Sequence, residues 1–216
     1  MKLAVFDCDG TLVDGQAPVC EAMEAAFTEA GLPAPRRTDI RRIVGLSLPQ
    51  AVRALTPDAD PARQAAAVEA YKTAFRTSRE EGRLEEPLFD GMAELLHHLV
   101  ATGWSLAVAT GKSDRGLAAC LAGHGIADRF VSLQTADRHP SKPHPAMLEA
   151  ALFEAGATPS EAVMIGDTSF DIAMARAAGV RAIGVAWGYH DTAELIEAGA
   201  EAVAADIAEL RSMLDG

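Results

Sequence analysis

The stretch VFDCDGTLVD, residues 5–14, places acidic residues where a buried strand ends. It is preceded by Leu3 and Ala4, and the run from Leu3 to Phe6 is continuously apolar, as is typical of a strand covered on both faces of a sheet. Asp7 and Asp9 follow directly, and residues i and i+2 of an extended chain project to the same side. Two like charges this close are unfavourable without a compensating cation. The sequence therefore predicts that this turn carries a function beyond ending the strand.

The rest of the chain shows two different sequence patterns. Residues 16–82 show helical apolar spacing with no convincing strand, and the stretch IRRIVGLSLPQAVRAL, residues 40–55, continues in that pattern. Beyond residue 90, apolar strands alternate with amphipathic helices, which predicts parallel pairing through right-handed crossovers. The strands expected there are WSLAVAT, RFVSL, AVMIGD, VRAIGVAW and a short EAVAA.

This pattern predicts an α/β fold: a doubly wound, mostly parallel, Rossmann-like sheet with an inserted all-helical cap domain. We expect residues 1–14 and 83–216 to form the catalytic core and residues 15–82 to form the cap. In doubly wound sheets, ligands bind beyond the carboxyl ends of the strands. Polar residues that follow the predicted strands should therefore form one site.

Acids, a hydroxyl and a lysine do follow these strands. In chain order, the candidates are Asp7, Asp9 and Gly10, then Thr110 and Gly111, then Lys142, and finally Asp167 and Asp171. Lys112, directly after Gly111, is a further candidate cation. Their convergence on one edge of the sheet is stronger evidence of a site than any one of them alone.

The motifs DxDGT, a strand ending in Thr-Gly, a lysine before proline and GDxxxD resemble the four motifs of the haloacid dehalogenase superfamily. The resemblance spans the whole chain, including a helical cap after the first motif. The stretch SKPHP…GDTSFD…ARAAGV is most similar to the branch that contains phosphoglycolate phosphatases.

The resemblance implies a Mg²⁺-dependent phosphatase that forms an aspartyl-phosphate intermediate. It implies that Asp7 is the nucleophile and that Asp7, the backbone carbonyl of Asp9 and the carboxylate of Asp167 bind the metal, with Asp171 supporting that site directly or through water. Mg²⁺ prefers hard oxygen ligands of this kind. Asp9 would protonate the leaving alcohol and then deprotonate the attacking water.

The resemblance further implies how the phosphate is held. Thr110 and backbone N–H groups at Gly111 would bind phosphate oxygens, and Lys142 would offset the charge of Asp7 and the phosphate. Gly10 allows the chain to bend away after the acids.

Substrate choice is expected to reside in the cap. Arg41 and Arg42 lie in RRIVGLS, and either is a candidate for bidentate pairing with a substrate carboxylate, which would suit 2-phosphoglycolate. The alternative is that both are solvated helix residues.

Other functions remain open on these residues. A phosphomutase of the β-phosphoglucomutase kind would use the same four motifs, and a non-catalytic binding or regulatory domain could keep the scaffold. A dehalogenase carries a different residue at the position of Asp9. A phosphonate hydrolase would need a cap lysine for a Schiff base, and Lys72 is the only lysine in residues 15–82.

Composition limits the partners. The 216 residues carry a formal net charge of −12, which argues against nucleic acid or an anionic membrane. No apolar run is long enough to span a bilayer, and no signal segment is recognisable. Three widely spaced cysteines, without zinc-type spacing, favour a reducing cytoplasm. We expect a small phosphorylated metabolite as partner, with the oligomeric state left open.

Overall fold

A computed structural model describes residues 2–216 and contains a single six-stranded parallel sheet flanked by helices. The strands are β1 (Lys2–Phe6), β2 (Trp104–Thr110), β3 (Phe130–Thr135), β4 (Ala162–Gly166), β5 (Arg181–Val185) and β6 (Ala202–Ala204). The helices are α1 (Gln16–Glu29), α2 (Arg37–Ile43), α3 (Leu48–Leu55), α4 (Pro61–Glu80), α5 (Met92–Ala101), α6 (Asp114–Gly123), α7 (Ala146–Ala155), α8 (Ser169–Ala177), α9 (Thr192–Ala198) and α10 (Ile207–Asp215).

The strand order β3-β2-β1-β4-β5-β6, with every neighbouring pair parallel, confirms the predicted doubly wound α/β fold. The order reverses direction between β1 and β4, which lie side by side at the centre of the sheet. This reversal opens a crevice at the carboxyl ends of β1 and β4, where ligands bind in such sheets.

Both faces of the sheet are buried, as the continuous apolar strands predicted. Phe6, Val108 and Ile165 point to one face and pack in one cluster with leucines of α5, α6 and α10. Their neighbours Val5 and Met164 point to the other face and pack with residues of α7, α8 and α9. The alternation follows from the two-residue period of a strand, so each strand needs apolar residues at successive positions.

Helices α1 to α4 form a separate helical layer between β1 and α5, with its own apolar cluster. The chain leaves and re-enters the sheet layer through two adjacent segments. The Asp14 N–H donates to the Pro87 carbonyl at 2.8 Å, and the Phe89 N–H donates to the Leu12 carbonyl at 3.1 Å. The division of the chain at residues 14/15 and 82/83 stays a prediction.

The prediction of unbroken helical character over residues 40–55 is wrong in one respect. Helix α2 ends at Ile43 and α3 begins at Leu48, so residues 44–47 form a loop. Gly45 lies in this loop with φ of 98°, a left-handed conformation that interrupts a right-handed helix. The loop turns toward the carboxyl edge of the sheet and becomes part of the site described below.

Substitutions at two positions of α5, one buried and one exposed, test how much burial in the core contributes to the free energy of unfolding. Leu96 is fully buried, whereas Val100 on the same helix is 45% exposed. We expect Leu96→Ala to lower the free energy of unfolding by about 2–5 kcal/mol, because it removes buried methyl groups and leaves a cavity. Val100→Ala should cost no more than about 0.5 kcal/mol. Urea denaturation measures both, and equal losses would contradict the assigned burial.

Candidate active site

Three carboxylates come together where β1 and β4 end. Asp7 follows β1, Asp167 follows β4, and Asp171 lies in the first turn of α8. Each offers one oxygen within 4.8 Å of the oxygens offered by the other two. All three side chains are almost fully buried. The carboxyl edge of the sheet therefore brings Asp7 together with two acids that lie 160 and 164 positions later in the chain.

Lys142 supplies one positive charge to this carboxylate cluster (Asp7, Asp167 and Asp171). Its Nζ atom lies 2.9 Å from Asp7 Oδ1 and 2.6 Å from Asp171 Oδ1, and the lysine is fully buried. Burial alone would lower the pKa of Lys142, but the adjacent Asp171 and Asp7 carboxylates raise it above its usual value, so the ammonium stays charged. One ammonium beside three carboxylates leaves the cluster short of positive charge.

Burial and the shortage of positive charge raise the pKa of two of these acids. Burial, opposed by Lys142 and assisted by Asp171, raises the pKa of Asp7 to about 7. Burial and the neighbouring Asp7 and Asp171 carboxylates raise the pKa of Asp167 well above its usual range. Without a further cation, the cluster would hold protons at a pH where isolated carboxylates are ionised.

Asp167 is held in place from two sides. Its Oδ1 accepts a hydrogen bond from Thr11 Oγ1 at 2.8 Å, and its Oδ2 accepts one from the Tyr189 N–H at 2.8 Å. Gly10 has φ of 83°, and a Cβ atom there would lie 2.2 Å from Asp167 Oδ2. Glycine at position 10 therefore both makes the turn and lets the loop approach Asp167.

Asp171 is held by the start of its own helix. Its Oδ2 accepts hydrogen bonds from the Thr168 N–H at 3.1 Å and from Thr168 Oγ1 at 2.7 Å, which forms a capping box. Its other oxygen faces Lys142. Capping and ion pairing are thus carried by different oxygens of one carboxylate.

The donor set fits a divalent cation. Asp7 Oδ2 is buried and has no hydrogen-bond partner among residues 2–216. A buried carboxylate oxygen without a hydrogen-bond partner is energetically unfavourable. Mg²⁺ and similar ions bind carboxylate oxygens of this kind. Asp7, Asp167 and Asp171 are the residues that could hold such an ion, whereas the predicted role of the Asp9 carbonyl stays a prediction.

Asp9 belongs to a second ionic group beside the cluster. Its Oδ1 lies 2.9 Å from Lys112 Nζ, in an ion pair rather than a hydrogen bond of good geometry. The same Nζ lies 2.6 Å from Glu86 Oε1. The three side chains are each less than 15% exposed. The sequence suggested Lys112 as a cation near phosphate, but its pairing with Asp9 and with Glu86, 26 residues away, could not be read from a motif.

A cavity of about 450 Å³ opens above Asp7 and Asp9. Thr110 and Gly111, both predicted phosphate contacts, line it together with Lys112. Opposite them lies the loop 44–47: a Cβ atom at Gly111 would be 2.7 Å from the Leu46 carbonyl oxygen. The helical layer thus closes directly over the end of β2.

Arg41 and Arg42 do not line the cavity, which argues against their predicted role in binding a substrate carboxylate. Both side chains are exposed, and Arg42 forms an ion pair with Glu194 on α9. The break after Ile43 turns the chain, so α2 faces α9 while the following loop faces the cavity. The cations that α4 presents to the cavity are instead Lys72, Arg76 and Arg79. The sequence considered Lys72 only as a Schiff-base lysine and gave no signal for the two arginines.

Comparison with known proteins identifies the family to which the chain belongs. The family model described as "Haloacid dehalogenase-like hydrolase" matches residues 4–185. A "Probable phosphatase IndB" from Dickeya dadantii is 38% identical over 198 residues, which cover 89% of this chain and 84% of that protein. A "Phosphoglycolate phosphatase" from Thiobacillus denitrificans is 32% identical over 220 residues, covering 99% and 96%.

Among solved structures, "a hydrolase from Pseudomonas syringae" superimposes with a TM-score of 0.88 at 25% identity, covering 100% of this chain and 98% of that one. The chain belongs to the haloacid dehalogenase-like hydrolases, which confirms the resemblance drawn from its four motifs. Within residues 2–216, no helix has both the length and the apolar character needed to cross a membrane.

Cation binding at this site is expected to depend on pH. A divalent cation competes with protons for Asp7, whose pKa is raised to about 7. The apparent affinity for Mg²⁺ should therefore fall at least about tenfold for each pH unit below that value, because the pKa of Asp167 is raised as well. Calorimetric titration of the protein across this range measures the dependence.

Asp14→Asn is the control for that titration, because Asp14 is an exposed acid of the same loop and lies outside the cluster. It should follow the unmodified protein, whereas Asp7→Asn should bind weakly and with a flatter pH dependence. An affinity that does not change across the range would contradict the assignment of Asp7 as a ligand.

Proposed function

We propose that this chain is a Mg²⁺-dependent phosphatase that hydrolyses a small phosphate monoester through an aspartyl-phosphate on Asp7. Its membership of the hydrolase family and the phosphatases among its relatives support this function. The observation that carries it is the buried Lys142 ammonium between Asp7 and Asp171, directly behind the cavity that Asp7 and Asp9 line. A small phosphorylated metabolite is the expected substrate, and 2-phosphoglycolate is one candidate.

The first step is attack by a carboxylate oxygen of Asp7 on phosphorus. Two negative groups must meet, so positioning and charge compensation dominate catalysis. Lys142 contacts Asp7 directly and lowers the repulsion. Mg²⁺, when bound by the carboxylate cluster, would supply the remaining positive charge on the phosphate oxygens. Thr110 Oγ1 and the Gly111 N–H lie along the cavity where they can donate to those oxygens.

Proton transfer falls to Asp9. As the ester P–O bond breaks, the leaving oxygen takes the proton of Asp9 and departs as the alcohol. Water then attacks phosphorus of the aspartyl-phosphate and gives its proton back to Asp9, which releases phosphate and restores Asp7. The contact with Lys112 holds the side chain of Asp9 beside the cavity. The first step needs a proton on Asp9, which a monoanionic phosphate ester brings into the site, and the attacking water supplies the proton again in the second step.

A screen of small phosphate esters, with and without Mg²⁺ and with direct measurement of released phosphate, tests the function. Release that requires Mg²⁺ supports a phosphatase. Isomerisation of a sugar phosphate without stoichiometric release would instead indicate a phosphomutase of the β-phosphoglucomutase kind. Mg²⁺ binding without turnover of any ester would indicate a binding or regulatory domain. The absence of nucleic-acid binding and the cytoplasmic location stay predictions.

Asp7→Asn is expected to abolish phosphate release, because an amide cannot act as the nucleophile. Circular dichroism and thermal unfolding should show that the variant is folded. The matched control is Asp14→Asn, which removes an acid from the same loop outside the cavity and should keep activity. Residual activity of Asp7→Asn above a few per cent would mean that Asp7 is not the nucleophile.

Asp9→Asn should slow both formation and breakdown of the phosphoryl-enzyme, by roughly 10²–10⁴-fold, because it removes general acid and base catalysis. Rapid-quench kinetics with a good substrate resolves the two steps. An ester with a very acidic alcohol should suffer less in the first step, because its leaving group needs no proton. A variant slowed in binding alone would contradict the assigned role.

A further inference from the structure

The cavity is larger than a short phosphorylated acid needs. Its volume of about 450 Å³ lies in the range of roughly 300–1,000 Å³ that is typical of sites for drug-sized ligands. Of the carboxylate cluster, Asp7 lines this cavity. A phosphate group in contact with Asp7 would occupy only the end of the cavity nearest the cluster. Most of the volume lies between the sheet edge and the helical layer.

The two sides of this space differ in chemistry. The sheet side is polar and includes Asp7, Asp9, Thr110, Lys112 and Ser113. The helical side is mainly apolar over its inner part, where α1, the end of α2, the loop 44–47, α3 and α4 contribute side chains. These apolar residues are Val19, Met23, Ile43, Val44, Leu46, Leu48, Ala51, Tyr71 and Phe75. A ligand that fills the space therefore meets phosphate-binding groups on one side and an apolar wall on the other.

The ion pair of Asp9 sets the direction in which the alcohol portion would leave the phosphate. Asp9 must reach the leaving oxygen, and its partner Lys112 Nζ lies 5.6 Å from the centre of the Phe75 ring. Phe75 stacks on Tyr71 with ring centres 5.2 Å apart and an angle of 27° between the planes. An aromatic surface on α4 thus borders the ion pair that includes the proton donor for the leaving oxygen.

The cations near the carboxylate cluster are already engaged. Lys112 contacts the carboxylates of Asp9 and Glu86, and Lys142 contacts those of Asp7 and Asp171. A carboxylate placed one carbon from the phosphate would find no free ammonium beside it. Arg76 and Arg115 also line the cavity, but both are exposed and so belong to its mouth. Of the other two cations in the lining, Lys72 is exposed and pairs with Glu69, and Arg79 lies 3.8 Å from Glu86.

We propose that the preferred substrates are phosphate monoesters whose alcohol portion is apolar or aromatic and fills the space against Leu48, Tyr71 and Phe75. This inference rests on the proposed phosphatase function and concerns which esters the site selects. It predicts that a short hydroxy-acid ester such as 2-phosphoglycolate is a poorer substrate than an ester with a larger apolar alcohol.

A series of straight-chain alkyl phosphates tests the proposal, because their alcohols have similar acidity and differ in apolar size. We expect kcat/KM to rise from methyl to butyl to hexyl phosphate, by about fourfold for each methylene that becomes buried. Phenyl phosphate and 2-phosphoglycolate complete the set, with released phosphate measured for every ester in the presence of Mg²⁺.

Two substitutions on α3 provide a matched pair. Leu48 and Leu55 are both partly buried leucines of this helix that pack on the same apolar cluster, but only Leu48 lines the cavity. Leu48→Ala should reduce the ratio of kcat/KM for hexyl phosphate to that for methyl phosphate several-fold. Leu55→Ala should leave this ratio unchanged, even if it lowers thermal stability.

The outcomes separate this proposal from the function on which it rests. A rising alkyl series that Leu48→Ala flattens supports the proposal. A flat series, or a higher kcat/KM for 2-phosphoglycolate than for hexyl phosphate, overturns it while leaving the phosphatase function standing. No phosphate release from any ester overturns both.

Discussion

The contact on which the rest of the site depends is the pairing of the buried Lys142 ammonium with Asp7 and Asp171. Buried charges are tolerated only when they are paired, and this lysine is fully buried with carboxylates at 2.9 and 2.6 Å. One ammonium does not balance three acids, so the cluster keeps an excess of negative charge. Burial, together with the neighbouring carboxylates, raises the pKa of Asp7 and of Asp167, and the excess of negative charge favours binding of a divalent cation. This excess of negative charge is unfavourable while no cation is bound, and it makes the site selective for cations.

The sheet makes this concentration of charge possible. Asp7 and Asp167 follow β1 and β4, which lie side by side where the strand order reverses. Rigid neighbouring strands hold the acids together against their repulsion, and hydrogen bonds from Thr11, Tyr189 and Thr168 fix the carboxylate oxygens. The helical layer supplies few charges near the carboxylate cluster. Its main contribution is an apolar wall on the opposite side of the cavity. Phosphate chemistry therefore belongs to the sheet and the fit of the alcohol portion to the helices.

Much of this could be predicted from sequence, because period and position along a parallel sheet are local properties. A strand such as Trp104–Thr110 is visible as an apolar run, and a residue after a strand must lie at its carboxyl edge. Contacts between distant segments left no such signal. Arg42 pairs with Glu194, 152 residues away, and is thereby kept out of the cavity. Likewise, no motif indicated that Lys112 joins Asp9 to Glu86, or that loop 44–47 breaks a helix to close over Gly111.

The central claim is that Asp7 can attack a phosphate because fixed positive charge surrounds it. Mass spectrometry of peptides from acid-quenched enzyme, taken during turnover of a phosphate ester with Mg²⁺, tests it most directly. The account predicts a gain of one phosphoryl group on the peptide that contains residues 5–14, located on Asp7. It also predicts that this species disappears when Mg²⁺ is removed or when Lys142 is replaced by methionine. Phosphoryl transfer to a different residue, or turnover with the peptide never modified under any quench time, would contradict the account.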